Sequence, residues 1–223
     1  MNINTKDYWD KRFSSGDWEC KRGRVQTKQF AETQIKYFMI APSFSGTILD
    51  FGCGTGDAIP VYREAYPQAT LIGLDLSEAA IIKCRDFYGG LATFVQGNYT
   101  DVPEVDVIIA SNVFEHLSND IQIAAHLLNK CHDLFVITPY REAITPNMEH
   151  INSYDEGYFK TLGPYDYSTF YSKNWSQSGW KLWFNIYIKN LVRPFFGKNI
   201  EHRQKQIMFH FKSESNTQDK LSK

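Results

Sequence analysis

Two carboxylates flank a glycine-rich turn, and residues of these types at this spacing are typical of a ligand-binding site. The turn, Gly52 to Gly56, holds three alternating glycines and follows an apolar run, Thr47 to Phe51, that predicts a buried strand. A strand, a glycine turn and a helix form the corner that binds nucleotides in doubly wound sheets. Because Asp50 and Asp57 would repel a pyrophosphate, this corner favours a ligand that carries an ammonium and a sulfonium group and no phosphate.

The segment Asp50 to Gly56 resembles the first motif of the class I S-adenosylmethionine-dependent methyltransferases. The resemblance extends over residues 45 to 140, where four matching segments follow strand ends in the family's order. It implies S-adenosylmethionine as the cofactor, S-adenosylhomocysteine as the product, and cofactor contacts from residues at the ends of the first four strands. These residues are Asp50, Gly52, Cys53, Gly54, Asp75, Leu76, Asn98, Tyr99, Ser111 and Asn112.

Two of these positions receive specific roles. Asp75 ends the second predicted strand, where such folds place a carboxylate on the ribose hydroxyls. Asn98 follows the third strand, and the resemblance assigns it to the amino edge of adenine. Cys53 lies inside the turn, where a small side chain suffices, so we interpret it as a packing residue.

The alternation of apolar runs with helical patterns predicts an α/β fold. We expect one Rossmann-like, doubly wound sheet of seven strands, with an antiparallel last strand and helices on both faces. The first five predicted strands are residues 47–51, 70–76, 92–96, 105–110 and 134–138. Trp180 to Ile188 and Gln206 to Lys212 alternate as the sixth and seventh strands, and Asp155 to Leu162 predicts a short helix.

The flanking residues are expected to form a lid and a tail. Residues 1–43 predict a helical lid over a cofactor-binding domain of residues 44–213, and residues 214–223 predict a polar tail. In the lid, Tyr8 to Phe13 predicts one helix and Thr27 a cap of a second, longer one.

A basic segment, Lys21 to Gln26, lies between the two lid helices. It is interpreted either as a solvated loop or as a lid segment that closes on the ligands. In the second interpretation Arg24 and Gln26 reach the methionine carboxylate of the cofactor or an anionic substrate.

The acceptor is expected beyond the fourth and fifth strands, because ligands in open α/β sheets bind outside the carboxyl ends of the strands. His116 and His150 are the candidate general bases, since histidine takes up protons near neutral pH, and a structural role for each is the alternative. No cluster of His, Asp and Glu has the sequence spacing of a dedicated metal site, so no metal site is predicted, and a divalent ion held partly by the substrate is the alternative that stays open. The predicted substrate-binding residues are Glu115, Tyr140, Arg141, Glu149 and Tyr154.

Composition narrows the class of protein. The chain has 223 residues and a net charge of −1, which argues against a protein that grips nucleic acid through its phosphates. Its four cysteines have no CxxC pairing and are expected to be reduced thiols in the cytoplasm. No apolar run reaches the roughly 20 residues of a membrane span, and we expect a monomer or homodimer.

Together these features predict an enzyme that methylates a small molecule, and the expected acceptor atom is an oxygen. The resemblance favours sugars or other precursors of surface polysaccharides as acceptors. N-methylation of an amino sugar or another small amine is the alternative within the same class. A noncatalytic nucleotide-binding subunit is the alternative from another class, and acids at both cofactor positions, Asp50 and Asp75, argue against it.

Overall fold

A seven-stranded sheet forms the centre of the protein. The computed structural model describes residues 3–144, 149–172, 183–197 and 205–213. The spatial order of the strands is β3-β2-β1-β4-β5-β7-β6. The strands are β1 Thr47–Phe51, β2 Thr70–Asp75, β3 Thr93–Gln96, β4 Val107–Ser111, β5 Asp133–Pro139, β6 Asp166–Tyr171 and β7 Lys205–Lys212.

The first five strands are parallel, and β7 runs antiparallel between β5 and β6. β1 lies between β2 and β4 and pairs with both. Asp50 of β1 is in register with Gly73 of β2 and with Ile109 of β4. The carboxyl ends of β1, β2 and β4 therefore meet at one edge of the sheet, as the predicted topology requires. The α/β fold, the seven strands and the antiparallel last strand are confirmed.

Helices cover both faces of the sheet, and among the described helices none is long and apolar enough to cross a membrane. One face carries a core that includes Ile59, Tyr62 and Ile81, and the other carries Ile123 and Leu127. The α-helices are α1 Lys6–Ser14, α2 Asp17–Cys20, α3 Gly23–Gln34, α4 Ile59–Ala65, α5 Glu78–Tyr88, α6 Asp120–Leu128 and α7 Lys189–Val192.

The predicted position of the sixth strand is wrong. Residues 183–188 of the predicted strand form a π-helical turn, and residues 180–182 lie outside the described residues. The observed β6, Asp166–Tyr171, is an edge strand in which only Phe170 is buried. An edge strand with so few apolar residues lacks the hydrophobic run that marks a central strand.

Three further expectations need adjustment or remain untested. α3 begins at Gly23, earlier than Thr27, and the ring of Trp18 packs where a Cβ of residue 23 would lie. Of the short helix predicted from Asp155 to Leu162, only Lys160–Leu162 is helical, as a 3₁₀ turn. The polar tail, residues 214–223, lies outside the described residues.

Gly52 supplies the sharpest test of the turn after β1. Its φ is +72°, and a Cβ at this position would lie 2.4 Å from Cγ2 of Val113. Gly52→Ala is therefore expected to lower the free energy of unfolding by about 1–3 kcal/mol, measured by urea denaturation. Gly90→Ala is the matched control, since a Cβ there meets open space, and it should change stability by less than about 0.5 kcal/mol. Equal stability of the two variants would contradict the strain argument.

Candidate active site

A cavity of about 1120 Å³ opens at the carboxyl ends of β1, β2 and β4. It extends from the glycine turn to the loop after β5, and residues of α1 and α3 form part of its wall. Gln26 also faces it. The structure thus brings together the ten predicted cofactor residues, Asp50, Gly52, Cys53, Gly54, Asp75, Leu76, Asn98, Tyr99, Ser111 and Asn112.

Asp75 fixes the glycine turn to the end of β2. Its Oδ2 accepts a hydrogen bond from the Gly54 amide, and its Oδ1 accepts one from the Ser77 amide, each at 2.8 Å. Burial raises the pKa of Asp75 to about 6, although both backbone hydrogen bonds favour the carboxylate. Asp75 therefore shapes the turn and still presents a carboxylate to the cavity.

Asp50 is the buried acid of this corner. Burial, followed by the charge of Asp75, raises its pKa to about 7. Within the described ranges no side chain or amide forms a hydrogen bond or ion pair with its carboxylate. A buried carboxylate without a partner is costly, so the cavity wall beside Asp50 favours a cationic group.

The predicted roles of Asp57 and Arg24 are wrong, because the two residues satisfy each other. The Asp57 carboxylate accepts hydrogen bonds from Arg24 Nε at 2.9 Å, Tyr88 Oη at 2.8 Å and Thr55 Oγ1 at 2.5 Å. The Arg24 guanidinium lies over the ring of Phe87, away from the cavity wall. Arg24 thus fastens α3 to the domain instead of reaching the ligands.

Hydrogen bonds join α1 to the N-terminal part of α5. Asp10 Oδ1 accepts hydrogen bonds from Ser77 Oγ at 2.6 Å and from the Ala79 amide at 3.2 Å. Lys83 Nζ donates to the Phe13 carbonyl at 2.6 Å. These contacts hold the lid over the edge of the sheet that carries Asp75.

Glu149 binds another face of α1. Its carboxylate accepts hydrogen bonds from Arg12 and from the hydroxyl of Tyr8, and its carbonyl accepts one from Asn4 Nδ2 at 2.7 Å. Glu149 lines the cavity, as predicted, but its polar atoms already bind α1 and the residues before it. This residue joins the lid to the loop after β5.

Glu115, His116 and His150 form a cluster at the acceptor end of the cavity. One ligand atom from each side chain lies within 4.8 Å of the others, and all three residues line the cavity. Sequence spacing did not predict this cluster, whose three side chains are close enough together to hold a metal ion. Glu115 and His116 are adjacent but His150 is distant in sequence, and only the fold brings it to them.

Hydrogen bonds orient both histidine rings. His116 Nδ1 lies 3.2 Å from the Glu149 carbonyl oxygen, and His150 Nδ1 lies 2.5 Å from Glu142 Oε2. A carbonyl and a carboxylate accept only, so each Nδ1 carries the proton and donates, and each neutral ring keeps its lone pair on Nε2. Glu142 was not among the predicted site residues.

The pKa values of the cluster differ widely. Burial, with a smaller effect of His150, lowers the pKa of His116 to about 3. Burial acts in the same direction on His150, but the hydrogen bond to Glu142 and the charge of Glu115 raise its pKa above the ordinary value. Burial raises the pKa of Glu115 to about 7, and nearby His150 opposes this shift. His116 is thus a weak base that stays neutral.

A network of buried amides positions Glu115. Asn112, with a φ of +57°, donates from Nδ2 to Glu115 Oε1 at 3.2 Å and accepts from Gln206 Nε2 at 2.7 Å. Gln34 Nε2 donates to Gln206 Oε1 at 3.1 Å, and Gln34 Oε1 accepts from Ser111 Oγ at 3.0 Å. The sequence analysis missed Gln34 and Gln206. The signal that could have found them is a polar amide at a position where the apolar pattern of the helix or strand predicts a core residue.

The remaining predicted substrate residues divide into two groups. Tyr140 and Arg141 line the cavity, and both donate hydrogen bonds to the carboxylate of Glu156. The prediction for Tyr154 is wrong, because its ring is fully buried in the core and its hydroxyl donates to Asp120 at 2.7 Å. Burial, together with that hydrogen bond, raises the pKa of Tyr154.

Comparisons with known proteins agree with this geometry. Residues 49–135 match the protein family described as "Methyltransferase domain". Over 84 residues the chain is 36% identical to trans-aconitate 2-methyltransferase of Acidovorax sp. (strain JS42), covering 36% of this chain and 32% of that protein. Over 128 residues it is 29% identical to malonyl-[acyl-carrier protein] O-methyltransferase of Anoxybacillus flavithermus, covering 55% of this chain and 48% of the relative.

Residues 49–135 carry a methyltransferase domain, and this match supports the class I S-adenosylmethionine-dependent type. The family match begins inside β1 and ends inside β5, so it contains the glycine turn, Asp75 and the Glu115 segment. The chain spans only a third to a half of the length of these curated relatives.

The fold of this methyltransferase domain is also similar to that of a solved structure, the plantazolicin methyltransferase in complex with SAH. The TM-score is 0.57 at 17% identity, over 94% of this chain and 96% of that chain. At this identity the likeness concerns the fold alone. On the acceptor side, the loop after β5 and strand β7 lie beyond the family match.

Arg12→Gln tests whether the contacts at Glu149 hold the lid closed. Loss of charge-assisted hydrogen bonds should lower the free energy of opening of α1 by about 1–2 kcal/mol, because Arg12 is only partly exposed. Hydrogen exchange of the α1 amides should then accelerate about 5–30-fold. Lys11→Gln, at an exposed position of the same helix, should leave exchange unchanged. Equal exchange in Arg12→Gln and the wild type would show that other contacts hold the lid.

Proposed function

We propose that this protein transfers a methyl group from S-adenosylmethionine to an oxygen of a small, hydroxyl-rich acceptor such as a sugar or polysaccharide precursor. The observation that carries the proposal is the continuity of one cavity. It joins the glycine turn and Asp75 at one end to Glu115 and His150 at the other. A cofactor bound at the turn would thus share one cavity with its acceptor, which is the arrangement that methyl transfer needs.

The cofactor end offers complementary groups for each part of S-adenosylmethionine. We assign the carboxylate of Asp75 to the ribose hydroxyls and the unpartnered carboxylate of Asp50 to the methionine ammonium. Leu76, Asn98 and Tyr99 form the part of the wall assigned to adenine. The Thr100 amide and hydroxyl both donate to Asn98 Oδ1, so the remaining polar atom, Nδ2, would donate to a ring nitrogen of adenine, whereas the predicted contact with the amino group would need an acceptor.

The acceptor end favours a polar molecule. Its wall carries Tyr140, Arg141, Glu142 and His150, which can form hydrogen bonds to several hydroxyl groups. The volume of about 1120 Å³ exceeds the usual range for one small ligand, roughly 300–1,000 Å³, and suits a cofactor together with a small acceptor. The name of the malonyl relative, an O-methyltransferase, supports oxygen as the attacked atom.

The reaction follows from the sulfonium, which makes the methyl carbon an electrophile. The acceptor oxygen attacks in line and must lose its proton, and a positioned group is needed for that step. Of the two histidines predicted as bases, His116 has a pKa of about 3 and is too weak a base to remove a hydroxyl proton. We therefore assign His116 to orienting the acceptor hydroxyl and His150 to activating it.

The Asp50 carboxylate makes cofactor binding pH-dependent. Its pKa of about 7 in the free protein means that below pH 7 a proton must leave before the carboxylate can pair with the ammonium. Affinity for S-adenosylhomocysteine, which keeps that ammonium, should fall about tenfold per pH unit below 7 in calorimetric titrations. Asp75, with a pKa of about 6, should steepen the fall below pH 6.

Two variants make this prediction specific. Asp50→Asn should weaken binding at pH 8 by about 1.5–3 kcal/mol and remove the pH dependence between pH 8 and 6. Asp86→Asn, an exposed acid of α5 outside the cavity wall, should behave as the wild type. A wild-type affinity that is flat across this range would show that Asp50 does not meet the ammonium.

The acceptor class can be tested directly. The protein, S-adenosylmethionine with a labelled methyl group and a panel of sugar phosphates and nucleotide-linked sugars should give a labelled methyl ether, identified by mass spectrometry. A labelled N-methyl product from an amino sugar would replace the oxygen proposal with the amine alternative. Binding of S-adenosylhomocysteine without turnover of any hydroxylated or amino sugar would count against this acceptor class.

A further inference from the structure

We propose that Glu115, His116 and His150 bind a divalent first-row transition-metal ion that holds the acceptor hydroxyl beside the transferred methyl. The role of the ion rests on the proposed function, whereas its binding rests only on these three side chains. Two imidazoles and one carboxylate form the protein ligand set of several catalytic zinc sites and of non-haem iron sites. The ligand atoms lie within 4.8 Å of one another, so small side-chain rotations suffice to enclose an ion.

The hydrogen bonds of both histidines match those of metal ligands. Metal-binding histidines almost always donate their second ring N–H to a carbonyl or a carboxylate, which fixes the tautomer. Here His116 Nδ1 is bonded to the Glu149 carbonyl and His150 Nδ1 to the Glu142 carboxylate. In the part of the chain that the structure describes, neither Nε2 has a hydrogen-bond partner. Both lone pairs that a metal needs are therefore available.

Glu115 gives an independent indication of a cation. Its side chain is only 1% exposed, and Oε2 is buried without a hydrogen-bond partner, whereas Oε1 is held by Asn112. An unsatisfied carboxylate oxygen in the interior is costly unless a cation or a donor reaches it. The network of Gln34, Gln206 and Asn112 fixes this acid beside the two imidazoles, and a metal ion would satisfy it.

Three protein ligands leave coordination positions for the acceptor. A hydroxyl bound there becomes more acidic and loses its proton to solvent, as water does on catalytic zinc. The oxygen then uses a lone pair to form the bond to the methyl carbon while the carbon–sulfur bond breaks. The electron pair of that bond stays on sulfur, which converts the sulfonium to neutral S-adenosylhomocysteine. The ion thus makes the hydroxyl acidic enough to lose its proton, a step for which His116 is too weak a base.

The test uses Co²⁺ alone, added to the full chain after treatment with a chelator. We expect one equivalent to bind, with the absorption of Co²⁺ bound to nitrogen and oxygen and without thiolate charge-transfer bands. His150→Ala and Glu115→Gln should each lower the affinity for Co²⁺ at least tenfold. His132→Ala is the matched control, because His132 pairs with Asp106 outside the cavity wall and should bind Co²⁺ as the wild type does.

Each outcome decides the proposal. Absence of Co²⁺ binding, binding that survives in both variants, or a thiolate spectrum from the free cysteines would overturn it. If Glu115→Gln fails to fold by circular dichroism, His150→Ala, whose side chain is partly exposed, decides the result. Calorimetry with S-adenosylhomocysteine separates the two proposals. A protein that binds S-adenosylhomocysteine but not Co²⁺ keeps the proposed function and loses the metal site, and the opposite result keeps only the metal site.

Discussion

The charge of three buried carboxylates in one cavity is the constraint on which the rest of the site depends. Asp50, Asp75 and Glu115 all lie at the carboxyl edge of the sheet, and burial raises the pKa of each. The nearby cations are committed elsewhere: Arg24 pairs with Asp57 and Arg12 with Glu149. In the described residues neither arginine pairs with Asp50 or Glu115, and a cationic cofactor and a metal ion would each neutralise part of the remaining charge.

The two functional ends of the cavity are built by different means. The cofactor end is local, since a turn of alternating glycines and the acid of the next strand come from a short stretch of chain. The acceptor end is assembled from β4, the loop after β5 and the antiparallel β7, with Gln206 of β7 linked to Glu115 through Asn112. Insertion of β7 beside β5 is what brings these residues together.

This difference explains how much could be predicted from the sequence. Apolar runs and glycine spacing predicted the five parallel strands and the residues around the turn, because those signals are local. The position of β6 was missed, since an edge strand has no buried run. The pairing of Arg24 with Asp57, the burial of Tyr154 and the approach of His150 to Glu115 depend on contacts between distant segments, and no local pattern encodes them.

Glu149 has a consequence for the order of events in a catalytic cycle. Its side chain holds the lid through Tyr8 and Arg12, and its carbonyl orients His116. Under the proposed function, a displacement of α1 that admits S-adenosylmethionine would also disturb the contacts that orient the imidazole. The acceptor half of the cavity would be complete only with α1 in its observed position. Such a coupling would impose sequential entry, with the cofactor bound first and released last.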